Sequence, residues 1–492
     1  MLIEERLVIM VVAGLFVLTG NLPLVRESKL SVALRSAGYI IFLLNIQYVD
    51  MVSSILILGG VLISVSLTGF SLYYSKIKYK TTSLVVLTDV FALAMLLTFS
   101  SKFLIELITF WLLTELLGFF LIAYDSIIGV KREAMNAALK YLLFSMIPTD
   151  IALFILLALT GFNRAVNVPI QDLFIDISSP ILTMLVIVGL FSKAAVFPLH
   201  FWLPDAHSIA PAPASSLLSG LMVKMGIYGL YLVTKFNIDK EIAFMALIIA
   251  ASITAIYGGL QATIQHDIKR ILAYSTTSHM AVMTLLLSMY LRLGDEIFIY
   301  AITIYALAHI LYKAGLFADS GLVEVLTHEK DVEKLGYVSK IVPLETLAVI
   351  LMILSMLGMP PTVGFLAKLL LFTSISHYLT YSWIYLAILL IVSIEISLTI
   401  LYSIRYLKVH IVSKGTMNFK KLNLEALTMK YYVTLMALIS IITTFMLSIY
   451  ETLYAGEIKI LGEIMPVLYV SSAMLLFILL SLYELLRVKN YV

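Results

Sequence analysis

The sequence predicts an all-α integral membrane protein of about fourteen to fifteen transmembrane helices, arranged as two inverted five-helix repeats that each contain a broken helix. Three observations carry that reading. Of the 492 residues 61% are hydrophobic and 13% charged, with a mean hydropathy of +1.04, whereas soluble domains average about 45 to 50% apolar and 25% charged. Apolar runs long enough for a helix to cross hydrocarbon recur along the whole chain. Two of those runs are interrupted by proline close to a lysine.

The spans follow in order, with limits near 7–24, 31–48, 53–74, 83–100, 103–124, 137–160, 180–208, 212–234, 241–263, 271–291, 298–322, 343–376, 381–404, 431–450 and 465–486, since crossing about 30 Å of hydrocarbon takes about 20 residues. A β-barrel strand would be about 10 residues long, far shorter than these runs. The first run follows Glu4, Glu5 and Arg6 without a small-residue cleavage pattern, so it reads as a retained helix. The longest polar connection, roughly 405–430, is too short for a separate soluble domain.

Basic residues test the count independently, because cytoplasmic loops carry excess Lys and Arg. With these spans, 22 basic residues fall on one face and 7 on the other (Arg6, Lys102, Arg164, Lys235, Lys240, Arg292 and Lys459). A miscount by one span would scramble that split. The expected topology therefore has the N-terminus outside and the C-terminus in the cytoplasm of a multi-pass cell-membrane protein.

Composition also excludes function classes. Cysteine is absent, so the chain holds no disulfide, zinc-thiolate site or iron–sulfur cluster. A net charge of +3 spread over dispersed lysines argues against nucleic-acid binding. The expected partners are lipid, other membrane subunits and small ions; no cofactor and no metal site is expected, and the chain is not expected to be an enzyme by itself.

Function is sought where charge is expensive, since an ionisable group at the bilayer centre costs about 2.5 to 3.5 kcal/mol on insertion scales. The four basic residues inside spans are Lys193, Lys224, Lys313 and Lys368; Glu115, Asp150 and Glu395 join them, with His279 and His309 in spans ten and eleven. Such a row must face a polar or paired interior. Desolvation disfavours the charged form of a buried lysine while a neighbouring carboxylate favours it, so moving the carboxylate switches proton occupancy. Glu115 is the natural partner of one lysine, with Lys193 the choice. His309 precedes Lys313 by four residues and shares its helix face. The competing reading is a set of static ion pairs fixing helix register. Two intramembrane histidines could also ligate a haem, which nothing else supports.

Span seven reads GLFSKAAVFPLHFWLPDAHSIAPAPASS, with Pro198 five residues after Lys193 and a polar run through His200, Asp205 and His207. Span twelve reads SMLGMPPTVGFLAKLLLF, with Gly358, Pro360, Pro361 and Gly364 before Lys368. Proline removes a backbone donor and clashes with the preceding turn, so both helices should break. The expected organisation is residues 1–82 as three N-terminal spans, 83–235 as one five-span repeat, 236–408 as its inverted copy, and 409–492 as C-terminal spans. In it Lys193 corresponds to Lys368, and Lys224 falls roughly opposite Glu395.

At these residues the chain resembles the antiporter-like family shared by Mrp-type sodium/proton antiporters, the membrane arm of NADH:quinone oxidoreductase (complex I) and membrane-bound hydrogenases. The resemblance covers roughly residues 83–408 and rests on FWLLTELLGFF, KAAVFPLHFWLPDAHSIAPAPASSLLSGLMVKMGIYGLY, DIKRILAYSTTSHM, HILYKAGLF and GMPPTVGFLAKLLLF. It implies that Glu115 and Lys193 are the coupled pair, Lys224 the bridging lysine, His309 and Lys313 the central relay, and Lys368 the lysine of the second broken helix. It further implies a hydrated polar axis along which protons hop. One branch of the family has glutamate at the Lys368 position, which this chain lacks. The wording LPDAHSIAPAPASSLLSG is closest to proton-channel subunits of hydrogenase-like complexes. The fifteenth span exceeds the usual count, and Glu395 has no secure match; it balances Lys368, tunes the exit side or belongs to a cation site.

The expected function is a proton-translocating subunit of a multisubunit respiratory, hydrogenase-type or Mrp-type complex, with exchange for sodium left open. A stand-alone secondary transporter of a small solute and a non-conducting structural subunit are the alternatives.

Overall fold

The computed structural model describes residues 2–412 and 424–450, together with Ser471, Met474 and Leu475. Fourteen of the fifteen expected spans fall among the described residues. The span expected over 465–486 lies outside them, as does part of the polar segment 405–430.

The chain is an all-α integral membrane protein. Among the described residues ten helices are each long and apolar enough to cross a membrane: Lys29–Tyr48, Met51–Tyr79, Leu104–Ile122, Glu133–Thr160, Ala212–Thr234, Lys240–Ile264, Ile268–Leu293, Ile297–Thr327, Trp383–Ile411 and Glu425–Leu447. Leu2–Gly20 and the shorter Ser83–Phe99 supply spans one and four. Spans seven and twelve are each two pieces, Pro180–Ala194 with Trp202–Ile209 and Pro343–Leu357 with Val363–Ser376. Helix starts are set locally: Asp50, Asp239, Asp267 and Ser382 each accept a backbone N–H of the first turn, meeting donors that a helix leaves open.

Contacts between connections verify the alternation of spans. At one end Arg6 pairs with Glu106, Lys235 with Asp50, and Arg292 with Glu241, while Tyr378 donates to Asp295. The same end carries a two-residue parallel pairing of Asp176–Ile177 with Asn237–Ile238. At the other end Lys76 pairs with Glu27, Arg270 with Asp205, and Arg405 with Glu333, and Asp267 bridges to Asp331. Every one of these pairings joins segments separated by an even number of crossings, as the alternation requires. Arg35, one of the 22 basic residues counted on the lysine-rich face, lies buried in span two and pairs with Asp89 of span four at 2.9 Å.

Both expected breaks are present, and their freed backbone groups find partners. The first half of span seven ends at Ala194, with Ala195 in the left-handed region (φ 54°). Trp202 then donates its indole N–H to the Ser192 carbonyl at 2.8 Å. In span twelve Gly358 takes φ +78°, and the Lys368 ammonium reaches back to the Leu357 carbonyl at 3.2 Å. A helix C-terminus is the negative end of its dipole and favours a cation. The two lysines thus serve C-terminal helix ends from opposite sides of the break, Lys193 within the first half and Lys368 from the second.

Two π-turns, Leu142–Met146 in span six and Leu218–Met222 in span eight, interrupt otherwise regular helices. Such turns re-aim the side chains that follow them. Lys224 follows the second by two residues. Span eight then presses against the first half of span seven at Gly226, where an added Cβ would stand 2.3 Å from the Ala194 backbone nitrogen. That contact fixes the spacing of Lys193 and Lys224, each within two residues of it.

Gly226→Ala should therefore lower the thermal unfolding midpoint of the purified chain in detergent, by the equivalent of about 1 to 3 kcal/mol expected for overpacking. Gly14→Ala, where nothing lies within 4 Å of the added Cβ, should leave the midpoint unchanged.

Candidate ion path

Lys193 closes the first half of span seven and Glu115 sits in span five; their Nζ and Oε1 atoms are 2.6 Å apart and both side chains are fully buried. Trp111 donates to the same Glu115 oxygen at 3.1 Å, and Lys193 donates to the Tyr141 hydroxyl at 3.1 Å. Asp150 of span six is only half-buried, yet near enough to interact electrostatically with Glu115 and Lys193.

Lys224 occupies the centre. Its ammonium donates to the Ser219 carbonyl at 2.6 Å, a carbonyl within the π-turn, and meets Nδ1 of His309. The His309 and His279 rings stack edge to face with centroids 5.5 Å apart. Lys313, one turn beyond His309, donates to the Ser275 hydroxyl and to the Leu272 carbonyl at 3.2 Å. All four residues are fully buried.

His279 connects the centre to span thirteen. Its Nδ1 lies 2.8 Å from the Tyr305 hydroxyl and 3.3 Å from Glu395 Oε1, and its Nε2 lies 3.1 Å from the Tyr402 hydroxyl. Thr399 contacts both Tyr402 and Glu395 at 2.9 Å. Lys368 is close enough to feel the charge of Glu395 without a direct bond to it. An added Cβ on Gly358 would come within 2.5 Å of Lys368 Cδ, so this glycine supplies both the positive φ and the room for the lysine stem.

The structure gathers every lysine and histidine that the sequence singled out, with Glu115 and Glu395, into one interior row running from span five to span thirteen. Asp150 stands at its edge. Among the described residues the row has no direct hydrogen bond between Lys193 and Lys224 or between Glu395 and Lys368; His309 and His279 meet only by their rings, and Lys313 is bonded to Ser275 and the Leu272 carbonyl rather than to either histidine. Glu115 Oε2, His309 Nε2 and Glu395 Oε2 have no hydrogen-bond partner among the described residues, and water commonly satisfies buried polar atoms of this kind.

Sequence reasoning missed an ionic cluster at one end of the bundle. Glu324 pairs with Lys78 at 3.0 Å, Lys269 at 3.1 Å and Lys330 at 3.4 Å. The cluster opens into a cavity of about 440 Å³ that Lys131, His328 and Glu329 also line. His207, fully buried and stacked on Phe317 with ring centroids 4.6 Å apart, lies within electrostatic reach of Lys269, Lys224 and Lys313. The signal was present: His207 belongs to the polar run after Pro198.

The sequence profile of the family described as NADH:quinone oxidoreductase/Mrp antiporter, TM matches residues 104–399. That is more than half the chain, and the chain belongs to this family. It is 33% identical over 302 residues to NADH-quinone oxidoreductase subunit N of Desulforudis audaxviator, covering 58% of each chain. It is also 33% identical over 290 residues to Na(+)/H(+) antiporter subunit A1 of Staphylococcus aureus, covering 56% of this chain and 36% of the relative. The chain thus spans between about a third and three fifths of the length of these curated relatives. Among solved structures, the Mrp complex from Dietzia sp. DQ12-45-1b superposes with a TM-score of 0.73 at 22% identity, covering 91% of this chain and 51% of that chain. Respiratory complex I from Thermus thermophilus with bound aureothin superposes with a TM-score of 0.68 at 20% identity, covering 90% and 98%. At such identities the likeness shows a shared fold.

Breaking a buried ion pair by removing one partner costs about 3 to 5 kcal/mol, while replacing both partners with apolar groups is often neutral. Lys193→Met alone should accordingly destabilise the purified chain by about that amount. The double variant Glu115→Leu with Lys193→Met should recover most of it in thermal unfolding.

Proposed function

We propose that this chain is a proton-translocating subunit of a multisubunit membrane complex, and that protons move along the row Glu115, Lys193, Lys224, His309, Lys313, His279, Glu395 and Lys368. The observation that carries the proposal is the continuity of buried ionisable and hydroxyl groups from Lys224 through His309 and His279 to Glu395. Family membership supports it, since relatives are named as subunits of quinone oxidoreductases and of sodium/proton antiporters.

The Glu115–Lys193 pair acts as the gate. While the carboxylate stands beside the ammonium, the lysine keeps its proton; when they separate, a bare ammonium at that depth is costly and the proton passes on. Lys224 receives it, across the interval that water spans. His279 presents its two ring nitrogens to different neighbours, so it can accept on one side and release on the other; His309 meets Lys224 through Nδ1 and offers Nε2 to water. Glu395 and Lys368 form the matching exit pair. The Glu324 cavity and His207 provide the side branch to the lysine-rich end, which by the bias of basic residues is the cytoplasmic end.

The driving module resides in neighbouring subunits, so the chain itself performs no redox chemistry in this reading. Sodium exchange, where it occurs, engages Glu395, the carboxylate of the exit pair.

The test is pH-gradient formation in membrane vesicles that contain the assembled complex. Lys193→Ala and Glu115→Ala should reduce the gradient to the level of vesicles without the chain, while the amount of assembled complex stays unchanged. Full transport in assembled Lys193→Ala complexes overturns the proposal. Glu395→Gln should abolish transport if Glu395 serves the proton exit, and should shift only the sodium dependence if it serves a cation.

A further inference from the structure

Asp319, Glu345 and His410 come from span eleven, the first turn of span twelve and the last turn of span thirteen, and all three are fully buried. One potential ligand atom from each lies within 4.8 Å of the other two. The Tyr406 hydroxyl stands 2.5 Å from Asp319 Oδ2, and His410 Nε2 stands 3.2 Å from the same oxygen. An ionised carboxylate only accepts, so this contact places the imidazole proton on Nε2 and leaves a lone pair on Nδ1.

That lone pair faces Glu345 Oε2 at 3.8 Å, too far for a hydrogen bond. His410 Nδ1, both Glu345 oxygens and Asp319 Oδ1 have no hydrogen-bond partner among the described residues. Four acceptors converge without a donor, in a place where each unmet polar group costs about 1 to 3 kcal/mol. A cation meets the imidazole nitrogen and the Glu345 carboxylate at once.

We propose that His410 Nδ1 and the Glu345 carboxylate bind a divalent transition-metal ion of the Zn²⁺ type, with Asp319 holding the far side of the imidazole. An imidazole nitrogen in the ligand set favours such an ion over Ca²⁺ or Mg²⁺, which take oxygen ligands. An ion about 2.0 to 2.2 Å from each ligand reaches both atoms across the 3.8 Å interval. Two carboxylates balance its charge. Asp319 Oδ2 holds the distal imidazole N–H, the arrangement that orients metal-bound histidines. The ion fastens span thirteen to the first half of broken span twelve, and the Asp319 contact with the imidazole ties both to span eleven. Asp319 follows Lys313 by six residues, about 9 Å along the helix, so the site is separate from the proton row and does not rest on the proposed function.

The test uses the full chain purified in detergent, stripped with a chelator, incubated with Zn²⁺, desalted and assayed for bound metal. The wild type should retain one Zn²⁺ per chain and unfold at a higher temperature with it. A variant of the exposed His377, His377→Ala, should behave identically. Glu345→Gln and His410→Ala should lose that equivalent and the thermal shift. Co²⁺ in place of Zn²⁺ should give the visible absorption of a nitrogen- and oxygen-ligated ion in wild type alone. No retained Zn²⁺ in wild type, or equal retention in Glu345→Gln, overturns the site and leaves a triad in which His410 carries a proton between two carboxylates. Should His410→Ala fail to fold, the comparison of wild type with Glu345→Gln decides the question.

Discussion

Everything in this fold follows from one constraint: a charge in hydrocarbon must find its partner within the bundle. The chain meets it by turning ionisable side chains inward and bringing helices close enough to share them. Close approach is bought with small residues. Gly226 lies against Ala194 beside Lys193 and Lys224, and an added Cβ on Gly258 would stand 2.9 Å from the Ser278 nitrogen, next to His279. Packing and polarity are therefore one problem here, because the same contacts that exclude lipid also set the distances between titratable groups.

The broken helices extend this logic to the backbone. An interrupted helix exposes carbonyls that have no partner in lipid. Span seven gives one of them to the Trp202 indole, and span twelve gives one to the Lys368 ammonium. A lysine serving a helix end gains the favourable end of the dipole. In span twelve the break thus creates the acceptor that makes a buried lysine tolerable.

Hydropathy and the 22-to-7 division of basic residues are strong signals, which is why spans, breaks and the four central lysines were legible in the sequence. Other parts were hidden for identifiable reasons. Asp89, Asp319 and Glu345 lie within or at the margin of apolar runs, and a count of intramembrane lysines passes over them. Tyr141, Tyr305 and Tyr402 complete the hydrogen bonds of the row, but 28 tyrosines in the chain leave no way to choose among them without coordinates. The π-turn that aims Lys224 arises from packing, and no residue in LSGLM marks it. The pairing of Lys193 with Lys368 by position in a repeat captured that each attends a break, though it could not show that they do so from opposite halves.

The distribution of charge along the row favours the proposed conducting path over a set of structural ion pairs. At the near end Lys193 holds a carboxylate at 2.6 Å, and at the far end Lys368 has Glu395 within electrostatic reach. The centre is different: among the described residues no carboxylate lies within 4 Å of Lys224 or Lys313, whose bonds go to carbonyls, a serine and a histidine. A static architecture has no reason to leave two lysines in that condition, since unpaired buried charge is the costliest arrangement available to it. Two cations that also feel each other cannot both be protonated cheaply in a medium of low dielectric. Charging one therefore favours discharging the other, and carboxylates at the two ends decide which. That coupling needs no large movement of the bundle, only a change in which lysine the proton occupies.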